Sequence, residues 1–164
     1  MKKLEVVHSK IYTLEALQRM LFIWRMQSKK IVFTNGCFDI LHLGHIDYLS
    51  KAADLGDILI VGLNSDASIK KIKNNNRPII DENSRKILLA SLFFINGIIL
   101  FDDETPYNLI KLIQPDVLVK GNDYNPENIV GYDIVKANHG EVITIDLVQG
   151  YSTSLIEQKI LKGV

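Results

Sequence analysis

The feature that most restricts the fold of this chain is a series of short apolar runs separated by segments with helical periodicity. Five of these runs are continuous rather than alternating in polarity, at 31–34, 57–63, 97–101, 116–120 and 141–145. Strands of this kind are typical of parallel sheets that helices cover on both faces. The sequence therefore predicts an α/β fold, a doubly wound Rossmann-like sheet of about five parallel strands with flanking helices.

The length and patterning of the chain favour a single domain over residues 1–164. No linker or internal repeat interrupts the 164 residues, and 47% of them are hydrophobic, which is ample for one core. Before the first apolar run, residues 11–27 carry apolar side chains at helical spacing, so we predict an N-terminal helix packed on the domain. The same apolar stripe is alternatively a contact between two copies of the chain.

The charge balance limits the classes of partner. The chain has nineteen basic and nineteen acidic residues, so the net charge is zero. Because no general positive field attracts polyanions, we expect neither nucleic acid nor a membrane as a partner.

The single cysteine, Cys37, excludes an intrachain disulfide and a cysteine-based zinc cluster. No signal peptide or apolar span is recognisable, so we expect a cytoplasmic protein.

The residues that point to chemistry follow the first predicted strand. Doubly wound sheets bind ligands at the carboxyl ends of their strands, close to the switch in strand order. Asn35 and Gly36 allow a tight turn that brings the backbone close to a ligand, and Cys37 and Phe38 continue this turn. We predict that all four residues contact a nucleotide.

Two histidines open the helix that follows this turn. His42 and His45 are three residues apart and lie on one helix face, and Gly44 leaves room for a ligand between them. A helix N-terminus favours phosphate, and two imidazole donors can neutralise charge that develops on an attacked phosphate. Taken alone, the pair could equally be structural. A zinc site would require further ligands, but His8 and His139 are isolated in the sequence.

The sequence resembles the HxGH nucleotidyltransferase superfamily, which includes cytidylyltransferases and adenylyltransferases. The resemblance rests on Phe38-Asp39 followed by His42-x-Gly44-His45, and on a hydroxyl cluster before the last helix made of Ser152, Thr153 and Ser154. It implies direct attack of an acceptor phosphate on the α-phosphate of a nucleoside triphosphate, with no covalent enzyme intermediate. It also implies that His42, His45 and the hydroxyl cluster bind the nucleotide, with Mg²⁺ accompanying the triphosphate.

Further candidate residues follow from the same resemblance. Lys73, Arg77 and Arg85 lie in the region that supplies cations to the phosphates, with Lys73 and Arg85 as catalytic candidates. The resemblance implies that Asp39 lies near the acceptor or the metal, with magnesium binding as one candidate role, and that Arg77 lies near the acceptor. No protein cluster is expected to hold a metal by itself.

A closer resemblance is to heptose 1-phosphate adenylyltransferases, which form the C-terminal domain of a bifunctional enzyme of bacterial ADP-heptose synthesis. It rests on 34–39, 116–124 and 129–131. It implies ATP and D-glycero-β-D-manno-heptose 1-phosphate as substrates, ADP-heptose and pyrophosphate as products, and a homodimer. From their place at the end of the fourth strand, Lys120, Gly121 and Asp123 are predicted to bind nucleotide. Lys120 is also a candidate for the acceptor phosphate, and Asp123 for a sugar hydroxyl.

Two other functions stay open at this point. One is a cytidylyltransferase that acts on glycerol 3-phosphate or a similar alcohol phosphate. The other is a nucleotide-binding regulatory module without turnover, which the intact histidine pair and hydroxyl cluster disfavour.

Overall fold

The computed structural model describes residues 2–73, 76–122 and 125–163. Within them the chain forms one sheet of six parallel strands with helices between them. The strands are β1 Ile11–Tyr12, β2 Ile31–Gly36, β3 Ile58–Asn64, β4 Gly97–Phe101, β5 Val117–Gly121 and β6 Glu141–Ile145. The helices are α1 Lys3–His8, α2 Leu14–Met26, α3 Leu43–Ala53, α4 Asp66–Ile72, α5 Glu82–Ala90, α6 Tyr107–Ile113, α7 Tyr132–Ala137 and α8 Thr153–Lys162, with a short 3-10 helix at Pro126–Asn128.

The strand order is β1-β4-β3-β2-β5-β6, and all neighbouring pairs are parallel. From β2 the chain winds through β3 and β4 towards one edge, and then returns to place β5 and β6 on the other side of β2. The order therefore switches between β2 and β5, which is where a doubly wound sheet opens a crevice at the carboxyl ends of its strands. The predicted doubly wound parallel sheet is confirmed.

Each face of the sheet buries its own apolar core, as continuous apolar strands require. On one face, Leu49 and Ala52 of α3 and Leu89 of α5 pack with side chains such as Val32 of β2. On the other face, α2, α6 and α7 pack against alternate strand residues such as Phe33. The crevice at the switch point is thus bounded by different helices on its two sides.

The N-terminal region differs from the prediction in two respects. The sheet has six strands rather than about five, because Ile11 and Tyr12 form a short edge strand that pairs with Ile98 and Ile99. The predicted helix over 11–27 is therefore shorter, Leu14–Met26, and begins after Thr13, whose hydroxyl accepts the backbone N–H of Ala16.

The apolar stripe of α2 is buried against the rest of the same chain. Its side chains Leu17, Leu21 and Trp24 are buried in the second core. In the structure the helix therefore packs on the sheet through these side chains, which are not available for a contact between two copies. None of the helices in the described residues has the length and apolarity needed to cross a membrane.

Candidate active site

A cavity of about 550 Å³ lies at the switch point of the sheet. Its walls come from the ends of β2, β3 and β5, from the start of α3 and from the start of α8. Most of the residues predicted to bind nucleotide line it, namely Asn35, Gly36, Cys37, Phe38, His42, Gly44, His45, Lys73, Lys120, Gly121, Ser152, Thr153 and Ser154. The fold therefore brings together residues that are more than 100 positions apart in the sequence.

The two histidines form a stacked pair at the start of α3. His42 is the N-cap residue with extended backbone, and His45 lies in the first turn. Their ring centroids are 3.8 Å apart with an interplanar angle of 19°, and the Phe38 ring meets the His45 ring edge-on at 5.2 Å. The Nδ1 atoms of both histidines are buried and have no hydrogen-bond partner among the described residues. Both rings thus retain unused hydrogen-bonding capacity beside the cavity.

The surroundings of the pair disfavour positive charge on either ring. Burial lowers the pKa of His45 to about 4, and the nearby His42 and Lys73 act in the same direction, against an opposing contribution from the backbone of Ile40. Burial also lowers the pKa of His42. At neutral pH both rings are therefore neutral, and each carries one N–H donor.

Gly44 allows the start of α3 to pack closely on the segment before α8. A Cβ atom at this position would lie 3.1 Å from two ring atoms of His42 and 3.3 Å from the Cβ of Tyr151. These distances are shorter than ordinary van der Waals contacts, so a side chain here would displace the His42 ring or the Tyr151 backbone. The absence of a side chain keeps the two helix N-termini next to each other.

The hydroxyl cluster stands at the start of α8. Ser152 is its N-cap, and its side chain accepts the backbone N–H of Leu155 at 3.1 Å. Thr153 and Ser154 occupy the first turn and line the cavity. A second helix N-terminus with hydroxyl donors therefore faces the histidine pair, an arrangement suited to a polyphosphate.

Two lysines supply positive charge to the cavity. Lys73 follows the end of α4, and Lys120 lies in β5 beside the switch point. The Nζ of Lys120 donates to the side-chain oxygen of Asn35 at 2.5 Å, which joins β5 to β2 across the crevice. In a chain of zero net charge, these side chains concentrate positive charge where an anionic ligand would bind.

Arg85 does not line this cavity. Its guanidinium is fully buried and donates to the backbone oxygens of Ile80, Cys37 and Asn64 and to the carboxylate of Asp66. All three of its nitrogens are therefore engaged within the protein. The sequence prediction of a phosphate-binding side chain is not supported by this position, since Arg85 instead holds the backbone behind the cavity wall.

Asp39 and Arg77 also bind each other within the protein. The Asp39 carboxylate is 5% exposed and accepts hydrogen bonds from the backbone of Ile79 and Ile80 as well as from Arg77. Although burial opposes it, these hydrogen bonds hold the pKa of Asp39 below its ordinary value. Neither residue lines the cavity. The remaining predicted site residue, Asp123, lies outside the described residues.

Sequence reasoning missed several residues of the cavity wall, including Tyr48, Asn64, Ile72, Leu147, Val148 and Tyr151. Asn64 carried a usable signal, because it ends the second long apolar strand and must therefore lie at the same sheet edge as Asn35. Leu147 and Val148 carried none, since apolar residues before a helix are usual.

Comparison with known proteins identifies the class to which this fold and site belong. The sequence pattern of the cytidylyltransferase-like family matches residues 33–159, which include the histidine pair and the hydroxyl cluster. The chain belongs to the cytidylyltransferase-like family.

Its curated relatives are much longer proteins. The chain is 51% identical over 153 residues to bifunctional protein HldE of Syntrophotalea carbinolica, covering 93% of this chain and 31% of that protein. It is 50% identical over 155 residues to bifunctional protein HldE of Citrifermentans bemidjiense, covering 94% and 32%. The chain thus spans about a third of the length of these relatives.

A solved structure shares the fold at lower identity. The lipopolysaccharide core biosynthesis protein of Thermoplasma volcanium superposes with a TM-score of 0.59 at 29% identity, over 76% of this chain and 99% of that chain.

Proposed function

We propose that the protein is an adenylyltransferase that transfers AMP from ATP to D-glycero-β-D-manno-heptose 1-phosphate and releases pyrophosphate. One observation carries the nucleotidyl transfer: the stacked pair of His42 and His45 and the hydroxyls of Ser152 and Thr153 face one cavity from two helix N-termini. Such an arrangement binds a triphosphate along its length and leaves its α-phosphate accessible to an acceptor.

In this proposal the histidines act as neutral donors. The acceptor phosphate oxygen attacks the α-phosphorus in line with the departing pyrophosphate, and negative charge grows on the transferring group and the leaving group. N–H donors of His42 and His45 stabilise that charge in a partly desolvated site, and Lys73 adds a positive charge. Lys120, at the switch point, binds the acceptor phosphate.

Magnesium is proposed to accompany the triphosphate. No group of three or more His, Cys, Asp or Glu side chains in the described residues is placed to hold a metal. Asp39, considered above as a ligand, already accepts several hydrogen bonds. Phosphate oxygens and water are therefore the proposed ligands, as is usual for Mg²⁺ on nucleotides, and the ion would neutralise phosphate charge.

The choice of a heptose phosphate rests on the resemblance of 34–39 and 116–124 to heptose 1-phosphate adenylyltransferases, which form one domain of a bifunctional enzyme. The HldE relatives are likewise named as bifunctional proteins. A second candidate is a cytidylyltransferase that acts on glycerol 3-phosphate or a similar alcohol phosphate. The description of the matching family agrees with cytidylyl transfer and names no acceptor. We also propose that the protein is located in the cytoplasm, where ATP is available. We propose further that it forms a homodimer, and size-exclusion chromatography with light scattering tests this oligomeric state.

The experiment that separates these functions is pyrophosphate release. The purified protein is assayed with ATP or CTP, each paired with heptose 1-phosphate or glycerol 3-phosphate, in the presence of Mg²⁺. We expect release only with ATP and heptose 1-phosphate. Release with CTP alone would overturn the proposal in favour of the second candidate. A protein that binds nucleotide but releases no pyrophosphate with any pair would be a regulatory module.

A further inference from the structure

A second cavity, of about 200 Å³, adjoins the first at the carboxyl ends of the strands. The two cavities share Asn35, Asn64, Ile72 and Lys120, so they meet along the ends of β2, β3 and β5. The remaining lining of the second cavity comes from the connection between β4 and α6 and from the 3-10 helix and the residues after it, namely Glu104, Thr105, Pro106, Asn128, Ile129 and Val130.

The two cavities lie towards opposite faces of the sheet. The first is bounded by α3, whose Tyr48 belongs to the core on one face. The second is bounded by Ile129, which belongs to the core on the other face with α2, α6 and α7. The histidines and the hydroxyls of α8 line the first cavity and not the second. Transfer to an acceptor in the second cavity requires the α-phosphate of a triphosphate held by those groups to lie at the shared boundary.

We propose that the second cavity binds the polyhydroxylated part of the acceptor, a sugar monophosphate, and that Glu104 and Asn128 bind its hydroxyl groups. This inference rests on the proposed nucleotidyl transfer. In-line displacement requires the attacking and leaving oxygens on opposite sides of the phosphorus. Two cavities that meet at Asn35 and Lys120 satisfy that requirement, because the acceptor enters from one face of the sheet and the triphosphate lies towards the other.

The lining of the second cavity matches a sugar in its chemistry. The side chains of Glu104, Thr105 and Asn128 take part in no hydrogen bond or ion pair among residues 2–73, 76–122 and 125–163. A carboxylate accepts hydrogen bonds from hydroxyls, and an amide both donates and accepts. Apolar walls from Pro106 and Ile129 complete a pocket with few, convergent polar groups, the usual form of a small-molecule site.

The charges of the lining fix the direction of the acceptor. Lys120 lies at the boundary with the first cavity, whereas Glu104 stands on the wall contributed by the β4–α6 connection. A phosphate is attracted to the ammonium group and repelled by the carboxylate. The acceptor therefore points its phosphate towards the nucleotide and its uncharged hydroxyl end towards Glu104, which is the orientation that transfer to the phosphate requires.

The test measures the acceptor and the nucleotide separately. Glu104→Gln and Asn128→Ala are assayed for pyrophosphate release with ATP and heptose 1-phosphate. We expect each substitution to raise the KM for the sugar phosphate about tenfold, as loss of a polar contact does, and to leave the KM for ATP within about twofold. Glu127→Gln is the matched control, because Glu127 is exposed beside Asn128 and lines neither cavity.

A binding measurement separates failure of this inference from failure of the proposed function. Heptose 1-phosphate is titrated calorimetrically into each protein in the presence of a non-hydrolysable ATP analogue. If the wild type releases pyrophosphate but the KM for the sugar phosphate is unchanged in both variants, the second cavity is not the acceptor site while the function stands. If the wild type releases none, loss of sugar binding in Asn128→Ala still supports the cavity as a sugar site, and absence of sugar binding to the wild type overturns it.

Discussion

Arg77 donates a hydrogen bond to the buried carboxylate of Asp39 at 3.0 Å, and its other terminal nitrogen contacts Glu157 of α8. Asp39 stands three residues before His42, and Glu157 stands one turn beyond the hydroxyl cluster. Arg77 therefore joins the two helix N-termini that form the walls of the cavity. It acts as a positioning residue, since it holds groups that would bind nucleotide without lining the cavity itself.

The first prediction follows from that bridge. Arg77→Met leaves Asp39 buried without its cationic partner and frees α8, so we expect the KM for ATP to rise about tenfold. Glu157→Gln should have a smaller effect, because the Glu157 side chain is 41% exposed and its ion pair is screened by water. Steady-state kinetics with ATP as the varied substrate measures both.

The control for the bridge is Lys51→Met, which removes an exposed ion pair with Asp47 away from the cavity. It should leave the KM for ATP unchanged. If Arg77→Met lowers the unfolding temperature but leaves the KM for ATP and kcat at their wild-type values, the bridge is structural and does not position the site.

The second prediction concerns His45. Because the proposed role of its ring is to stabilise charge that grows in the transition state, His45→Ala should lower kcat about 10²-fold or more. The KM for ATP should change little. His139→Ala serves as the control, since His139 is an exposed histidine outside the cavity. A variant with full kcat and a raised KM would mean that His45 binds the ground state and transition state equally.

The third prediction is a change in the titration of His45 on nucleotide binding. Burial first, and then His42 and Lys73, hold the pKa of His45 at about 4 in the free protein. A bound triphosphate places negative charge beside the ring, and this raises the pKa. NMR titration of the ring protons should therefore show a midpoint near pH 4 without ATP and a clearly higher one with it. An unchanged midpoint would show that the phosphates do not approach His45.

The same shift has a consequence for stability. The pKa of His45 lies below its ordinary value of 6.5, so between about pH 6.5 and pH 4 the unfolded chain binds the proton that the folded chain does not. The free energy of unfolding should therefore fall as the pH is lowered through that window. Urea unfolding as a function of pH should show a shallower decline for His45→Gln than for the wild type. Parallel declines would contradict the assignment to this residue.

The fourth prediction separates a structural from a phosphate-binding role for Arg85. Arg85→Met leaves the Asp66 carboxylate and three backbone oxygens without their donor, so the free energy of unfolding should fall by about 3 kcal/mol. Lys86→Met, one residue along α5, should change it by less than about 0.5 kcal/mol. Denaturant unfolding measures both. A stable Arg85→Met variant with greatly reduced kcat would restore the phosphate-binding role.

Much of the fold was predictable because its strands are buried on both faces and read as continuous apolar runs. The edge strand at Ile11 and Tyr12 was not, because two residues carry no periodicity and the segment runs into the apolar pattern of α2. Its strand character depends on pairing with β4, about 87 residues away in the sequence. Pairing partners at that distance leave no local pattern.

The candidate site was likewise predictable from the sequence only in part. Residues whose role depends on a helix start or a strand end, such as His42, Ser152 and Lys120, were predicted at the cavity and lie there, because the sequence itself marks those positions. Arginine side chains are long, and their sequence position does not decide which way they point. In the structure, Arg85 and Arg77 form ion pairs with carboxylates within the protein.

The sequence by itself determined the parallel sheet, its crevice and the groups that begin α3 and α8, because apolar periodicity and helix capping are local properties. Only the tertiary structure decided that His42 and His45 stack, that their surroundings keep them neutral, that Arg77 joins α8 to Asp39, and that a second cavity adjoins the first. These features depend on burial and on distances between segments far apart in the chain, which are set when the layers pack together.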